Sequence, residues 1–228
     1  MLGLTIEKVS PALAEVGKAA SGGRRQRVKV LGITGGVGAG KSTVLDYLQR
    51  RHGARVIQAD RVAHLLQEPG GRCYAAICEE FGGEILREDR TIDRGRLGAL
   101  VYAEPAKLAR LNAIVHPSVK TYIIEEIEQE RRAGRVPFVA VEAALLLEDH
   151  YDRICDEIWY VFADEETRAG RLARDRGYTP QKTRSVMANQ LREEDYRRGC
   201  KFVIDNSGDF VENTYEQIDK GLVEHGFL

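Results

Sequence analysis

The sequence predicts an α/β fold, a doubly wound parallel sheet of about five strands with helices on both faces. From residue 28 onward, short apolar segments alternate with segments of helical periodicity, as expected for buried parallel strands. A glycine-rich turn joins the first of these strands to the first helix. The 228 residues are enough for one large core with insertions, and are too few for two independent domains of ordinary size.

We predict a single domain over residues 28–228, preceded by a flexible N-terminal extension. Residues 1–27 hold five Lys or Arg against two Glu and come before the first strand. A functional basic tail is the alternative. The predicted strands define a core of residues 28–60, 136–164 and 200–228, and they lie near 28–34, 55–58, 138–142, 157–162 and 202–204.

The turn after the first strand matches a phosphate-binding pattern. Gly35, Gly40, Lys41 and Ser42 complete G-x-x-x-x-G-K-[ST], between a β-branched run and a segment of helical periodicity. Glycines let the main chain wrap a polyphosphate with its N–H groups inward, and the helix N-terminus adds partial positive charge. We therefore predict that a P-loop binds a nucleoside triphosphate, with Mg²⁺ on Ser42, at Gly36, Gly38, Ala39, Gly40, Lys41, Ser42 and Thr43.

Residues 61–135 form a predicted helical insertion that binds the acceptor substrate. The segment between the second and third strands is too long for a simple crossover. Its helical patterning covers residues 73–81, 94–101, 106–114 and 118–133. His116-Pro117 separates the last two of these helices, and a structural histidine is the alternative to a substrate contact there.

Residues 165–199 are rich in arginine and predict a lid, a helical pair that closes over the nucleotide. The alternative is a solvated charged face, because Glu193, Glu194 and Asp195 are interleaved with the basic residues. The arginines are Arg168, Arg171, Arg174, Arg176, Arg184, Arg192, Arg197 and Arg198.

Two carboxylates are expected at the carboxyl edge of the sheet, where ligands of open α/β folds bind. Asp60 ends the second predicted strand and is the candidate base for the attacking hydroxyl. Capping of a helix over residues 61–67 is its alternative role. Glu142 ends the third strand and is a second candidate, suited to positioning a metal ion.

Charge and apolar patterning restrict the class of protein. The 34 Lys and Arg balance 35 Asp and Glu, which argues against nucleic acid or an anionic membrane as a partner. No run approaches the roughly 18 apolar residues of a membrane span, and residues 1–27 lack a signal-peptide core. We predict a cytoplasmic protein. Its four cysteines form no C-x-x-C pair and are expected to be reduced thiols.

Taken in order, several segments resemble the dephospho-coenzyme A kinase family over roughly residues 28–220. The phosphate-binding pattern is shared by many families, whereas the later motifs in this order are specific to this one. The segments are Ile33–Thr43, Val56–Asp60, Glu68-Pro69-Gly70, Phe81-Gly82, Ile92-Asp93-Arg94, Leu111–Pro117, Leu145–Glu148 and Val203–Gly208.

The resemblance implies ATP-dependent phosphorylation of the ribose 3′-hydroxyl of dephospho-coenzyme A, the last step of coenzyme A synthesis. It implies catalytic roles for Asp60, Lys41 and Arg171, and we expect nucleotide contacts by Arg171 and Arg174. Acceptor binding is expected at Asp60 and between Pro69 and His116-Pro117. We expect a monomer or weak oligomer. Three positions depart from the family pattern, where an acid, a proline and an aspartate are common: Gln58, Ala144 and Lys201.

Rival functions remain at this point. A nucleoside monophosphate kinase or another small-molecule kinase would share the P-loop, the helical acceptor region and the arginine lid. A nucleotide-gated switch is less well supported because the Asn-Lys-x-Asp guanine signature is absent from the sequence. A nucleic-acid-dependent ATPase would need interleaved aromatic and basic residues, which the sequence lacks.

Overall fold

Five parallel strands form the centre of the molecule, in the spatial order β2-β3-β1-β4-β5. The computed structural model describes residues 27–143, 145–208 and 210–228, so most of the predicted extension and Ala144 lie outside the described residues. The predicted fold class is confirmed. The strands are β1 (Lys29–Thr34), β2 (Arg55–Gln58), β3 (Phe138–Glu142), β4 (Glu157–Phe162) and β5 (Phe202–Asp205).

Helices cover both faces of the sheet, which explains why its strands are apolar on both sides. On one face, α1 (Lys41–His52) and α9 (Val211–Glu224) pack over a core that includes Trp159. On the other face, the helical insertion packs over Val30, Val139 and Val141. Alternate residues of each strand therefore contribute to two different cores.

The helical insertion contains four helices, and one of them spans the two segments expected over residues 106–114 and 118–133. These are α2 (Ala59–Leu66), α3 (Tyr74–Phe81), α4 (Arg94–Ala103) and α5 (Pro105–Ala133), with a 3₁₀ turn at Gly83–Ile85. The prediction of a helix boundary at His116-Pro117 is wrong, because α5 runs through Pro117 without a break.

A buried apolar stripe explains why α5 tolerates its internal proline. An interior proline costs a helix about 3 kcal/mol. Burying one aliphatic side chain contributes about 1.5–3 kcal/mol, and four of them lie at four-residue spacing on α5. The summed burial therefore exceeds the cost of the proline. These side chains are Val115, Val119, Ile123 and Ile127.

The predicted lid, residues 165–199, contains three helices where a pair was expected: α6 (Glu165–Arg176), α7 (Pro180–Ala188) and α8 (Glu193–Gly199). The Asp164 carboxylate caps α6 by accepting from the Thr167 N–H at 2.7 Å, and Thr179 caps α7 in the same way at 3.3 Å. A second 3₁₀ turn, Tyr151–Arg153, precedes β4. No helix among the described residues is long and apolar enough to cross a membrane.

Candidate active site

Two cavities open at the carboxyl edge of the sheet and meet at one carboxylate. The nucleotide cavity, of about 840 Å³, lies between residues 35–43, here called the phosphate loop, and the lid. The acceptor cavity, of about 410 Å³, lies between α2, α4, α5 and the segment after β3. Of the described residues that line these cavities, Asp60 alone lines both.

The phosphate loop is glycine-rich because neighbouring elements press on its outer side. Gly40 has a φ of +89° just before α1, and a Cβ there would overlap the Asn206 side-chain amide. A Cβ on Gly36 would lie 2.6 Å from Cζ of Arg168. Gly40 therefore requires glycine by conformation as well as by space, whereas the Arg168 side chain beside Gly36 is flexible at its end and could shift. The loop lines the nucleotide cavity.

Lys41 is held at the bottom of the nucleotide cavity. Its Nζ donates to the Gly35 carbonyl at 2.8 Å and lies 3.8 Å from Oε1 of Glu142. Burial lowers the pKa of Lys41, the Arg176 and Arg168 guanidiniums act in the same direction, and the carboxylates of Glu142 and Asp60 oppose the shift. The ammonium group therefore lies in a desolvated site where an anionic phosphate would restore favourable interactions.

Asp60 is exposed at the junction of the cavities, in the first turn of α2. The prediction that it ends a strand is wrong, because β2 stops at Gln58 and the chain turns into the helix at once. Gln58 occupies the N-cap position of α2, so Asp60 does not cap that helix. The Asp60 carboxylate is therefore accessible from both cavities.

Glu142 lies beside Gln58 across the β2–β3 pair. Burial raises the pKa of Glu142, and the Asp60 carboxylate acts in the same direction. Lys41 and a hydrogen bond from the Gln58 side chain oppose that shift. Position 58 commonly holds an acid in the family pattern, whereas this chain has Gln58. An amide donor, rather than a further negative charge, therefore lies next to Glu142. Lys201, another departure, is exposed just before β5.

Two lid arginines contact the phosphate loop itself. Arg168 donates from Nε to the Val37 carbonyl at 2.9 Å and from Nη2 to Oε1 of Gln190 at 2.6 Å. Gln190 also accepts from the Val37 N–H at 3.2 Å. Arg171 donates to the carbonyls of Asn206 at 2.9 Å and Ala39 at 3.4 Å. The lid and the loop are therefore joined by side-chain to main-chain hydrogen bonds.

The other lid arginines differ in their surroundings. Arg174 and Arg176 line the nucleotide cavity. Nε of Arg174 pairs with Asp175 at 2.8 Å, whereas Arg176 is close enough to influence Lys41. Arg197 and Arg198 pair with acids one turn earlier on α8, as the solvated-face alternative expected for this part of the lid.

The acceptor cavity is apolar with a few polar groups at its edge. His64, Arg94 and Asp149 line it, and Nδ1 of His116 lies 3.5 Å from Oδ2 of Asp149. The predicted substrate residue His116 thus faces the cavity. Pro117, predicted with it, follows on α5 and is absent from the described residues that line the cavity. The apolar walls include Leu97, Val101, Leu108, Leu111 and Val115.

Sequence reasoning missed the supporting residues of the phosphate loop. Asn206, Thr214 and Gln190 were not identified as site residues, and Arg168 was treated only as one lid arginine among several. Asn206 donates to the Ala39 carbonyl at 2.8 Å and accepts from Thr214 at 2.9 Å. The available signal was the Asn-Ser-Gly stretch after β5, since polar residues at this edge of a parallel sheet lie near the ligand.

Comparison with known proteins agrees with this geometry. The family model described as CoaE, dephospho-CoA kinase, matches residues 29–212. The dephospho-CoA kinase of Symbiobacterium thermophilum is 39% identical over 192 residues, covering 84% of this chain and 79% of that protein. That of Carboxydothermus hydrogenoformans is 36% identical over 189 residues, covering 83% and 90%.

Solved structures share the fold. The crystal structure of TT1252 from Thermus thermophilus has a TM-score of 0.74 at 28% identity, covering 88% of this chain and 98% of that one. The dephospho-CoA kinase from Campylobacter jejuni has a TM-score of 0.64 over 87% and 98%, and its 18% identity supports the fold alone. Because the family model matches most of its length, this chain belongs to the dephospho-CoA kinase family.

Proposed function

We propose that this enzyme transfers the γ-phosphoryl group of ATP to the ribose 3′-hydroxyl of dephospho-coenzyme A, giving coenzyme A and ADP. The observation that carries the proposal is the position of Asp60, which lines both the nucleotide cavity and the acceptor cavity. Phosphoryl transfer requires a hydroxyl and a γ-phosphate in line at one point, and the junction of two cavities supplies that point.

The phosphate loop binds the nucleotide through Gly36, Gly38, Ala39, Gly40, Lys41, Ser42 and Thr43. Lys41 neutralises negative charge on the transferring group, and its buried position strengthens that interaction. Arg171 and Arg174 of α6 add positive charge along the cavity wall. Arg176 lines the same wall and is suited to the same role.

Mg²⁺ fits the oxygen donors at the base of the nucleotide cavity. The Ser42 hydroxyl and the Glu142 carboxylate both line this cavity, and Mg²⁺ prefers oxygen ligands. When bound, the ion neutralises phosphate charge and orients the β and γ groups. Ser42 would bind it directly, and Glu142 would hold its water ligands.

Asp60 orients the acceptor hydroxyl and accepts its proton. The acceptor oxygen forms a bond to the γ-phosphorus, the bond from that phosphorus to the bridging oxygen of ADP breaks, and the proton passes to the carboxylate. In the acceptor cavity, His64, Arg94 and His116 provide donors for the acceptor's diphosphate and ribose.

We further propose a cytoplasmic enzyme that acts as a monomer or weak oligomer on a small-molecule substrate, without nucleic acid or membrane partners. The balanced charge of the chain supports this assignment. The predicted regions also stand as proposals: the acceptor-binding region at 61–135 and the lid at 165–199.

The test is ADP release measured with dephospho-coenzyme A, with AMP and without acceptor, in wild type and Asp60→Asn. Asparagine retains the size of Asp60 but removes the base, so kcat should fall roughly 10²- to 10⁴-fold with ATP affinity little changed. Asp46→Asn, on the exposed face of α1, is the matched control. Comparable turnover with AMP would favour a nucleoside monophosphate kinase, and full activity of Asp60→Asn would refute the role of this carboxylate.

A further inference from the structure

We propose that Asn206 is a positioning residue that sets the direction of the phosphate-loop amides before any nucleotide binds. The inference rests only on the nucleotide-binding half of the proposed function, and it is independent of the acceptor's identity. Asn206 follows β5 directly and is 5% exposed. Its position in the chain therefore ties it to the central sheet.

Every polar group of Asn206 has a partner. Its backbone N–H donates to the Phe162 carbonyl at 2.8 Å, and its own carbonyl accepts from Arg171 at 2.9 Å. Its side-chain Nδ2 donates to the Ala39 carbonyl at 2.8 Å, and Oδ1 accepts from Oγ1 of Thr214 at 2.9 Å. The side chain thus connects β5, α9 and the phosphate loop.

The chemistry of these partners fixes which way the Asn206 amide points. The Ala39 carbonyl can only accept a hydrogen bond, so the amide nitrogen must face it. Oδ1 must then face Thr214, whose hydroxyl is free to donate and which is 2% exposed on α9. The Ala39 carbonyl therefore sets the orientation of the amide, and the Thr214 hydroxyl anchors its oxygen in that orientation.

Binding of the Ala39 carbonyl determines the direction of the next N–H group. In a planar trans peptide, the C=O of Ala39 and the N–H of Gly40 point in opposite directions. With the carbonyl directed to Asn206, the Gly40 N–H is directed to the opposite side of this peptide. This direction suits a phosphate oxygen in the nucleotide cavity, which Gly40 lines.

The peptide between Val37 and Gly38 is held in the same way as the peptide between Ala39 and Gly40, but by a residue of a different element. The Val37 carbonyl accepts from Arg168, so the Gly38 N–H also points away from the outer side. Arg168 belongs to lid helix α6, whereas Asn206 is anchored to the sheet. Asn206 therefore supports the Ala39 carbonyl from the sheet, and Arg171 of α6 adds a longer contact to the same carbonyl at 3.4 Å. Preorganisation of this kind lowers the cost of binding phosphate.

Calorimetric titration of the full chain with ADP, and separately with dephospho-coenzyme A, tests this role. Thr214→Val keeps the shape of the side chain but removes the hydroxyl that anchors Oδ1 of Asn206. We expect the Kd for ADP to rise about 10-fold, as for loss of a buried hydrogen-bonded link, with the Kd for the acceptor within about 2-fold of wild type. Thr214→Ser restores the hydroxyl and should rescue ADP binding.

Asn206→Ala provides a second measurement and Asn213→Ala the control. Asn206→Ala removes the donor without adding bulk, and should weaken ADP binding at least as much as Thr214→Val. Asn213 is exposed on the same helix as Thr214 and should tolerate alanine. Unchanged ADP binding in a folded Thr214→Val or Asn206→Ala variant would overturn the proposal, as would equal loss for ADP and acceptor. If wild type binds ADP but not dephospho-coenzyme A, the proposed substrate fails and the role of Asn206 stands.

Discussion

The phosphate loop and the acceptor cavity are built in different ways. The loop is one continuous segment, residues 35–43, that offers main-chain groups and is held from outside by Arg168, Arg171 and Asn206. The acceptor cavity is assembled from side chains on α2, α4, α5 and the segment after β3. One site is local in sequence, and the other exists only when distant helices come together.

This difference predicts where substitutions act. A main-chain site depends on a few glycines and on the side chains that fix the peptide planes. A side-chain site distributes its affinity over several weaker contacts. In the acceptor cavity, for example, Arg94 is paired with Glu68 at 3.4 Å, and both side chains are about half exposed. Such an exposed pair contributes little to stability and is free to exchange partners.

The largest effect is expected at the phosphate loop, from Lys41→Met. Removing the charge at the transferring group should lower kcat at least ~10²-fold. Because burial lowers the pKa of Lys41, the charged side chain costs stability at neutral pH, and the melting temperature should not fall. Steady-state kinetics and thermal melting measure the two effects. Lys220→Met, on the surface of α9, is the control, and near-normal turnover of a folded Lys41→Met would contradict the loop assignment.

Gly40→Ala tests whether close packing or backbone strain makes this loop rich in glycine. Gly40 and Gly53 lie at the two ends of α1, both with positive φ, but a Cβ meets Asn206 only at Gly40. We expect Gly40→Ala to reduce kcat/KM for ATP at least ~30-fold, and Gly53→Ala to cost about 1–2 kcal/mol of stability with normal kinetics. Similar kinetics for the two variants would show that the contact with Asn206 is unimportant.

Alanine substitutions of the lid arginines test which of these side chains the enzyme needs for its reaction with ATP. Arg171→Ala should lower kcat/KM for ATP at least ~10-fold, because its hydrogen bonds join α6 to the Ala39 carbonyl of the loop and to the carbonyl of Asn206. Arg184→Ala and Arg192→Ala should change it less than about 3-fold. Arg174→Ala and Arg176→Ala belong in the same series, and a silent Arg171→Ala beside an inactive Arg174→Ala would shift the assignment to Arg174.

The smallest effect is expected in the acceptor cavity, from Arg94→Ala. Loss of one partly exposed cationic contact should raise KM for dephospho-coenzyme A about 5-fold and leave KM for ATP unchanged. Arg72→Ala is a matched control, because Arg72 also forms a half-exposed ion pair, with Glu125, on the helical insertion. A rise in KM for ATP, or an equal effect of Arg72→Ala, would contradict the division between a main-chain site and a side-chain site.

Prediction from the sequence succeeded where structure is local. The strand, glycine turn and helix around Lys41 follow from neighbouring residues, and the five parallel strands follow from short apolar segments. Prediction failed at α5, because Pro117 locally favours a break in the helix. Burial of the apolar stripe of α5 against other segments of the chain outweighs that local preference. Prediction failed also at Asp60, where the strand ended two residues earlier than the pattern suggested.

The sequence by itself determined the fold class, the phosphate loop and the resemblance to a family, because each depends on residue types at fixed spacing along the chain. Only the tertiary structure decided that Asp60 stands between two cavities and that Asn206 and Arg168 hold the loop's carbonyls. These contacts join residues more than 100 positions apart, and no local propensity encodes them. They arise when the packing of helices on the sheet brings separate segments to one edge.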